Sequence, residues 1–211
     1  MKDPLSSRPL APDDVERVVS AAEAVTLPKR AGAADPFFCG RIVRIMLTFG
    51  PHVSVLSGGW RRRTIKDTGE ITRRFDECLR SSDLRFEGGQ LYLAWRRPKT
   101  GKPVLIPVPA DMAPWLGAFL DKPRWGRRQS YNEMLERVEA ELVKRGTPIK
   151  LAPTRFRHTA AVRLRRMGLL DEDIQEFLAI SPQTMKHYIN RPLEERTADL
   201  KAKGWDRGTL T

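Results

Sequence analysis

Residues 153–164 read Pro-Thr-Arg-Phe-Arg-His-Thr-Ala-Ala-Val-Arg-Leu, and the stretch carries two patterns at once. Its apolar residues Phe156, Ala160 and Leu164 recur at helical spacing, which predicts an amphipathic helix that begins at the proline and stops near Gly168. Arginines fall on the opposite face. Guanidinium groups fixed near the positive end of a helix can hold a phosphate, although a basic face is more often simply solvated. By itself, the stretch favours the solvated face.

The composition favours a nucleic acid as the partner. The 211 residues include 38 Lys and Arg against 26 Asp and Glu, so the net charge is +12, and 40% of the residues are hydrophobic. A folded protein with this cationic surface attracts polyanions, nucleic acid first and anionic membrane second. No apolar run has the length of a membrane span, and the N-terminus lacks a signal-peptide core. We therefore expect a cytoplasmic protein with no membrane partner.

The spacing of cysteine and histidine predicts neither a disulfide nor a metal site. Cys39 and Cys78 lie far apart in the sequence, and we expect both to be reduced thiols. His52, His158 and His187 are also widely separated, without a cysteine or carboxylate arrangement of ligand type. We therefore expect no metal and no other cofactor.

Alternating apolar residues between positions 84 and 108 predict a small antiparallel sheet. Two strands meet at the turn Gly88-Gly89, and a third follows a turn that carries Lys99 and Lys102. Helices are predicted over about residues 12–22, 36–49, 70–79, 112–120, 131–145, 156–167, 171–178, a segment after Pro182, and 193–203. The expected fold is α+β and mainly α.

The predicted domain organisation is simple. Residues 1–9 are expected to be a disordered lead, residues 10–192 one domain, and residues 193–211 a C-terminal helix and tail.

Two further features have both a functional and a structural interpretation. Trp60 precedes Arg61, Arg62 and Arg63, and interleaved cations and rings can stack on bases, although such a cluster is more often a solvated loop. Tyr188 could be a covalent nucleophile if its surroundings favour the phenolate, but a lone tyrosine is more often a packing residue.

The combination of these motifs resembles the tyrosine recombinases and phage integrases. The C-terminal match consists, in chain order, of Phe156-Arg157-His158-Thr159-Ala160, Gly168, Phe177-Leu178 and Tyr188. Residues 99–102, followed by residues 106–109, are similar to the family's lysine hairpin, and residues 10–17 resemble the first helix of its catalytic domain. The resemblance covers most of the chain from about residue 9. It implies a helical catalytic domain of tyrosine-recombinase type with a small antiparallel β-sheet.

The resemblance also implies a reaction. Tyr188 would attack a DNA phosphodiester and form a 3′-phosphotyrosyl link with release of a 5′ hydroxyl. Arg157 would stabilise the phosphorane, a bidentate task that lysine performs poorly. Lys99 would protonate the leaving 5′ oxygen. Strand exchange and religation would follow without ATP.

Three positions depart from the family pattern. Thr154 stands where the family usually has a histidine, three residues before the second arginine, and Leu178-Ala179-Ile180 replaces a Leu-Gly-His turn. The family's first arginine corresponds either to His52 or to Arg74, and the second choice needs a longer insertion. If His52 is the match, one of two phosphate-binding guanidiniums is lost, and losing a preorganised charge of this kind typically costs about a hundred- to a thousand-fold in rate. The resemblance therefore implies a diverged or partly disabled site.

The expected partner is double-stranded DNA, bound by a homo-oligomer of the chain. The candidate DNA-binding residues are Arg61, Arg62, Arg63, Arg96, Arg97, Lys102, Arg155 and Lys186. The DNA-binding domain that recombinases usually carry before the catalytic domain is absent from these residues, so a partner recombinase or a missing N-terminal domain is expected to supply it.

Two other functions are compatible with the sequence. The chain could be a non-cleaving DNA-binding regulator or recombination accessory protein that kept the recombinase fold. An RNA-binding or ribosome-associated basic protein is a third interpretation, which would leave Tyr188 without a role.

Overall fold

The structure is a computed structural model of the 211-residue chain. It describes residues 8–26, 37–57, 59–64, 71–76, 78–96, 103–121, 128–178, 180, 183 and 185. For residues 59–64, 71–76 and 128–130 the description is limited to the backbone.

The described chain is mainly helical, as predicted. The helices are α1 (Pro12–Ala24), α2 (Phe38–Phe49), α3 (Val53–Ser57), α4 (Ala113–Leu120), α5 (Arg128–Lys144), α6 (Pro153–Arg166) and α7 (Asp171–Leu178). The strands are β1 (Gly59–Thr64), β2 (Ile71–Asp76), β3 (Leu84–Glu87), β4 (Gln90–Arg96) and β5 (Pro103–Pro107). No helix in these described segments is both long and apolar enough to cross a membrane.

Helix α2 lies at the centre of the core. Nine of its 12 residues are buried, because its sequence is apolar on nearly every side, and such a helix is stable only when other elements surround it. It packs against α1 on one side and α6 on another. The ring of Phe38, at its start, lies 5.4 Å from the ring of Phe119 in α4. The central position of α2 fixes where its C-terminal end meets α6.

The predicted three-stranded sheet is confirmed. Strands β3, β4 and β5 are antiparallel in that order, and Leu84 pairs with Leu93, which pairs with Ile106. Leu93 and Ile106 are fully buried, so this register places one face of the sheet on the core. Gly88 and Gly89 form the β3–β4 turn with φ angles of 56° and 81°, which glycine adopts without strain.

The helix predicted over residues 70–79 is wrong. Residues 71–76 form β2, which pairs antiparallel with β1 in a separate two-stranded sheet. Ile71, Thr72 and Phe75 have the β-branched or aromatic side chains that favour strands, and β1 supplies the hydrogen-bonding partner. That partner lies in a segment interpreted from the sequence as a basic loop, so the local pattern of residues 70–79 could not reveal the pairing.

The C-terminal helices follow the predictions closely within the described residues. Helix α6 begins at Pro153, and Gly168, with a φ of 92°, follows its end. Helix α7 spans the predicted residues 171–178. Gln183 and Met185 are helical, as the segment after Pro182 was predicted to be. The predicted helix over residues 193–203, and nearly all of the predicted lead, lie outside the described residues.

Candidate functional site

Arg157 joins three helices at one corner of the domain. The side chain is half-buried on α6, and its Nη1 donates to the carbonyl oxygen of Gly50 at 3.0 Å. Its Nη2 donates to the carbonyl oxygen of Leu178, the last residue of α7. These two bonds use two of the five N–H groups of the guanidinium and hold its plane in a fixed direction. We call this contact the Arg157 clamp.

The clamp depends on the close approach of α2, α6 and α7. Gly50 ends α2 in a left-handed conformation, with a φ of 53°, and its N–H donates to the carbonyl of Met46. A Cβ added there would lie 2.7 Å from Cδ2 of Leu178 and 3.2 Å from Cβ of Ala160. Both the backbone angle and the packing therefore require glycine at the position whose carbonyl holds Arg157.

An apolar cluster packs next to the clamp. It consists of the buried residues Ala160, Ala161, Leu164, Ile174, Leu178, Ile180 and Met185. Met185 is only 2% exposed, although it lies seven residues after the end of α7. The cluster therefore packs Ile180 and Met185 against α6 and α7, the helices that carry the clamp.

His52 lies beside the clamp. It is two residues from the Gly50 carbonyl and directly precedes α3, and its side chain is exposed. Its Nδ1 lies 2.9 Å from Oγ of Ser54 and accepts the Ser54 N–H at 3.3 Å. The imidazole therefore caps the first turn of α3, as polar side chains at helix starts commonly do.

Arg74, the alternative to His52, lies in the two-stranded sheet. It is on β2, in register with Arg61 on β1, and Arg62 is paired with Arg73 in the same way. Arg63 is paired with Thr72. The three predicted DNA-binding arginines of β1 and Arg74 therefore share one two-stranded ribbon.

The strands that precede and follow Lys99 in the sequence reach the same region as the clamp. Strand β4 ends at Arg96, which is exposed and paired with Pro103, the first residue of β5. Strand β5 lies beside α7, whose last carbonyl accepts a bond from Arg157. Five predicted site residues lie outside the described residues, namely Arg97, Lys99, Lys102, Lys186 and Tyr188.

Arg155 has a structural contact that the sequence did not suggest. Its Nη1 donates to the carbonyl oxygen of Lys150 at 2.6 Å and so ties α6 to the preceding loop.

Thr159 is a further residue whose role the sequence analysis missed. Its Oγ1 is buried, accepts the N–H of Leu10 at 2.9 Å and donates to the carbonyl of Arg155 at 2.8 Å. The only sequence signal was a polar residue between apolar positions of α6.

Solved structures share this arrangement of helices and sheet. The chain matches the XerA recombinase with a TM-score of 0.63 and 18% identity, over 96% of this chain and 66% of that one. It matches the Tn1549 transposon integrase with a TM-score of 0.62 and 18% identity, over 95% of this chain and 67% of that one. For the catalytic domain of bacteriophage HP1 integrase, the TM-score is 0.51 at 18% identity, over 90% and 94% of the two chains.

The chain has the fold of a tyrosine recombinase catalytic domain. The predicted fold is therefore confirmed. No family model matches the sequence, and no curated protein matches it either. The chain spans between about half and two thirds of the first structures that it matches, 66% for XerA and 53% for XerH.

The sequence resemblance aligns Thr154 and Ile180 with two histidines of the recombinase family. Thr154 is exposed in the first turn of α6. Ile180 is 7% exposed and belongs to the apolar cluster behind the clamp. Neither side chain titrates near neutral pH, and neither can carry a proton as an imidazole does.

The described residues contain no group of three or more His, Cys, Asp or Glu side chains that could hold a metal ion.

Proposed function

We propose that the chain binds double-stranded DNA and cleaves and rejoins it through a 3′-phosphotyrosine intermediate. Tyr188 is the proposed nucleophile, Arg157 stabilises the transferred phosphate and Lys99 is the general acid. The observation that carries the proposal is the Arg157 clamp, in a fold shared with tyrosine recombinases.

The clamp supports phosphate binding by its geometry. A guanidinium held by two backbone carbonyls has lost its rotational freedom before any ligand arrives. Preorganised donors of this kind stabilise charge that develops on phosphorane oxygens, because no reorganisation is needed in the transition state. Arginine presents parallel donors to a phosphate, which a lysine ammonium cannot do.

The packing of Met185 supports Tyr188 as the nucleophile. Met185 is packed in the apolar cluster that includes Ala160 and Leu178, and both of these contact the Gly50 corner. Three residues of extended chain span at most about 11 Å, and this length limits how far Tyr188 can lie from Met185.

Strand β5 supports Lys99 as the acid. The strand lies beside α7, which ends at the carbonyl that Arg157 binds. Lys99 lies in the sequence between β4 and β5, and a lysine in a connection between two strands of a rigid scaffold is well placed to enter a groove.

DNA as the partner is supported by charge and by the structural neighbours. The net charge of +12 favours a polyanion. XerH was solved bound to its difH substrate, and the Tn1549 integrase with transposon DNA. We further propose that the chain works as a homo-oligomer on DNA in the cytoplasm.

In the proposed reaction, the Tyr188 oxygen bonds to phosphorus and the phenolic proton leaves to solvent. The bond from phosphorus to the 5′ oxygen breaks, and that oxygen takes a proton from Lys99. Religation by a 5′ hydroxyl reverses both steps, so the bond energy is conserved and no ATP is required. Proton transfer by a positioned group typically contributes about 10²–10⁴-fold, so Thr154 and Ile180 in place of histidines predict slow cleavage.

The test uses a nicked suicide substrate in which cleavage releases a short fragment and so cannot be reversed. DNA fragments from the region flanking the gene are the first sequences to try. We expect a denaturant-resistant adduct of protein and DNA in the wild type and none in Tyr188→Phe. Tyr92→Phe, a half-buried tyrosine of β4, is the matched control and should form the adduct.

If the wild type and Tyr188→Phe both bind duplex DNA and neither forms an adduct, the chain is a non-cleaving DNA-binding protein. The exposed His52 at the α2–α3 corner, where the family resemblance allows an arginine, favours this alternative, because an imidazole offers a phosphate fewer hydrogen-bond donors than a guanidinium.

A further inference from the structure

The segment between α3 and β3 has both of its ends at one place on the domain. The chain departs at Ser57, the end of α3, and returns at Leu79, which is 2% exposed. The N–H of Leu79 donates to the carbonyl of Val55 in α3 at 3.0 Å. The segment that contains β1 and β2 therefore begins and ends at one anchored base, which starts a few residues after Gly50 and His52 in the sequence.

The register of these strands pairs arginine with arginine. Arg61 is opposite Arg74 and Arg62 is opposite Arg73, and Arg63 lies next along β1. The pairs alternate between the two faces of the sheet, because neighbouring positions of a strand belong to opposite faces. Asp76, at the base, is the one acidic residue of the two strands. We call this element the arginine ribbon.

Like charges directly opposite each other destabilise an antiparallel pair. Two such pairs, in a separate two-stranded sheet, are a costly arrangement unless opposite charge neutralises them. Phosphates along a nucleic acid backbone supply that neutralisation at regular spacing.

We propose that the arginine ribbon is a second DNA-binding element, which enters the major groove of B-form DNA next to the phosphate held by the clamp. A two-stranded ribbon fits the width of that groove, whereas the narrow major groove of an A-form RNA helix excludes it. Six residues of strand extend roughly 20 Å, which is enough to follow the groove across several base pairs. Arg74 then belongs to the ribbon, and His52 occupies the first-arginine position.

This inference deepens the proposed function and rests on its DNA-binding part, but not on cleavage. Strand cleavage needs Tyr188, whereas groove binding needs only the ribbon. An experiment can therefore contradict groove binding by the ribbon without contradicting strand cleavage, and the reverse.

The experiment measures duplex affinity by fluorescence anisotropy between about 50 and 200 mM salt. The ribbon variant carries Arg61→Gln, Arg62→Gln, Arg73→Gln and Arg74→Gln. The control variant, with the same change in net charge, carries Arg17→Gln, Arg44→Gln, Lys144→Gln and Arg145→Gln, at positions whose side chains form exposed ion pairs on α1, α2 and α5.

Each phosphate contact contributes about −0.9 to the slope of log K against log salt. We expect the ribbon variant to lose about 2–3.6 units of slope, so that over this salt range its affinity falls about 16- to 150-fold less than that of the wild type. The control should keep the wild-type slope. A milder variant, Arg61→Gln with Arg74→Gln, should lose about half as much slope. Its unfolding temperature, compared with that of the wild type, tests whether the domain remains folded.

Equal slopes in the wild type and both ribbon variants, or equal losses in the ribbon and control variants, would overturn the ribbon while leaving the proposed function intact. A wild type with no salt-dependent duplex binding would overturn both. Competition by duplex RNA as effective as by duplex DNA would also overturn groove binding by the ribbon.

Discussion

The guanidinium of Arg157 donates to the backbone carbonyl of Gly50, 107 positions earlier in the chain. A single residue of α6 thus holds the end of the central helix α2, and through Leu178 also the end of α7. Arg157 is therefore both the candidate phosphate-binding residue and a structural contact between helices. Substitutions at this corner are therefore expected to affect both stability and DNA chemistry.

Gly50→Ala should be more damaging than a glycine substitution elsewhere. The residue has a φ of 53°, and a Cβ would lie 2.7 Å from Leu178, which is buried and cannot move freely. The left-handed backbone costs an alanine about 1–2 kcal/mol, and overpacking adds about 1–3 kcal/mol. Denaturant unfolding measures the sum.

Gly146→Ala is the matched control for backbone strain. Its φ is 72°, but no atom lies within 4 Å of an added Cβ, so only the backbone cost applies. If the two variants lose the same free energy of unfolding, the tight packing at Gly50 contributes nothing.

Arg157→Lys should separate positioned charge from charge alone. Lysine keeps the positive charge but cannot hold two carbonyls and a phosphate with a planar fork. We expect adduct formation on the suicide substrate to slow by about 10²–10³-fold, as for loss of a preorganised donor. Arg155→Lys, two residues earlier on α6, alters the contact with the Lys150 carbonyl and should slow it far less. Comparable rates for the two variants would argue against a catalytic Arg157.

The sequence predicted those parts of the fold that depend on local periodicity. The predictions of helix α7 and of the sheet around Gly88-Gly89 are correct, because the apolar residues of each element recur at one clear spacing. The sequence analysis ended a helix at residue 49 and did not indicate that the carbonyl of Gly50 would be bound. That carbonyl became part of the candidate site because α6 packs against α2, and that long-range contact leaves no local signal.

The arginine ribbon is a second feature that the local sequence pattern could not predict. Residues 71–76 include Arg73 and Arg74, which are acceptable in a helix, and only pairing with β1 makes the segment a strand. Tyr188 and Lys99 stay predictions, because they lie outside the described residues.

Thr159→Val should destabilise the domain although it keeps the shape of the side chain. The substitution removes the acceptor of the Leu10 N–H in a buried environment, and an unsatisfied buried donor costs about 1–3 kcal/mol. Thermal unfolding measures the loss. Thr147→Val is a suitable control, because the carbonyl of Leu142, to which its hydroxyl donates, also accepts the Thr147 N–H. An equal effect of both variants would contradict the role of the Leu10 contact.

Cys39 should resist alkylation in the folded protein. Burial raises the pKa of its thiol from 9.0 to about 12, and the opposing effect of the Arg137 charge is smaller. Because the raised pKa belongs to the folded state, the associated stability is present below pH 9 and is lost as pH rises toward 12. With iodoacetamide at pH 8, mass spectrometry should show one label, on the half-buried Cys78, and a second only in urea. Rapid double labelling without urea would show that Cys39 is accessible.

Tyr131→Phe should stabilise the protein, and more so at high pH. The hydroxyl of Tyr131 is buried and has no hydrogen-bond partner in the described part of the chain, so its removal should gain about 1 kcal/mol. Burial also raises the pKa of this phenol well above its ordinary value of 10.0. The unfolded chain therefore releases the Tyr131 proton at a lower pH than the folded chain does. The stability linked to this proton is complete below pH 10 and is lost as pH rises above it.

Urea unfolding at pH 7 and pH 11 tests both parts of this prediction. At pH 11, one unit above the unfolded pKa, the advantage of Tyr131→Phe should grow by about 1.4 kcal/mol, because the variant has no phenol to ionise. Tyr92→Phe removes a hydroxyl from a half-buried ring on β4 and should change stability at pH 7 by less than about 0.5 kcal/mol. A loss of stability in Tyr131→Phe at pH 7 would mean that the buried hydroxyl makes a stabilising hydrogen bond in solution.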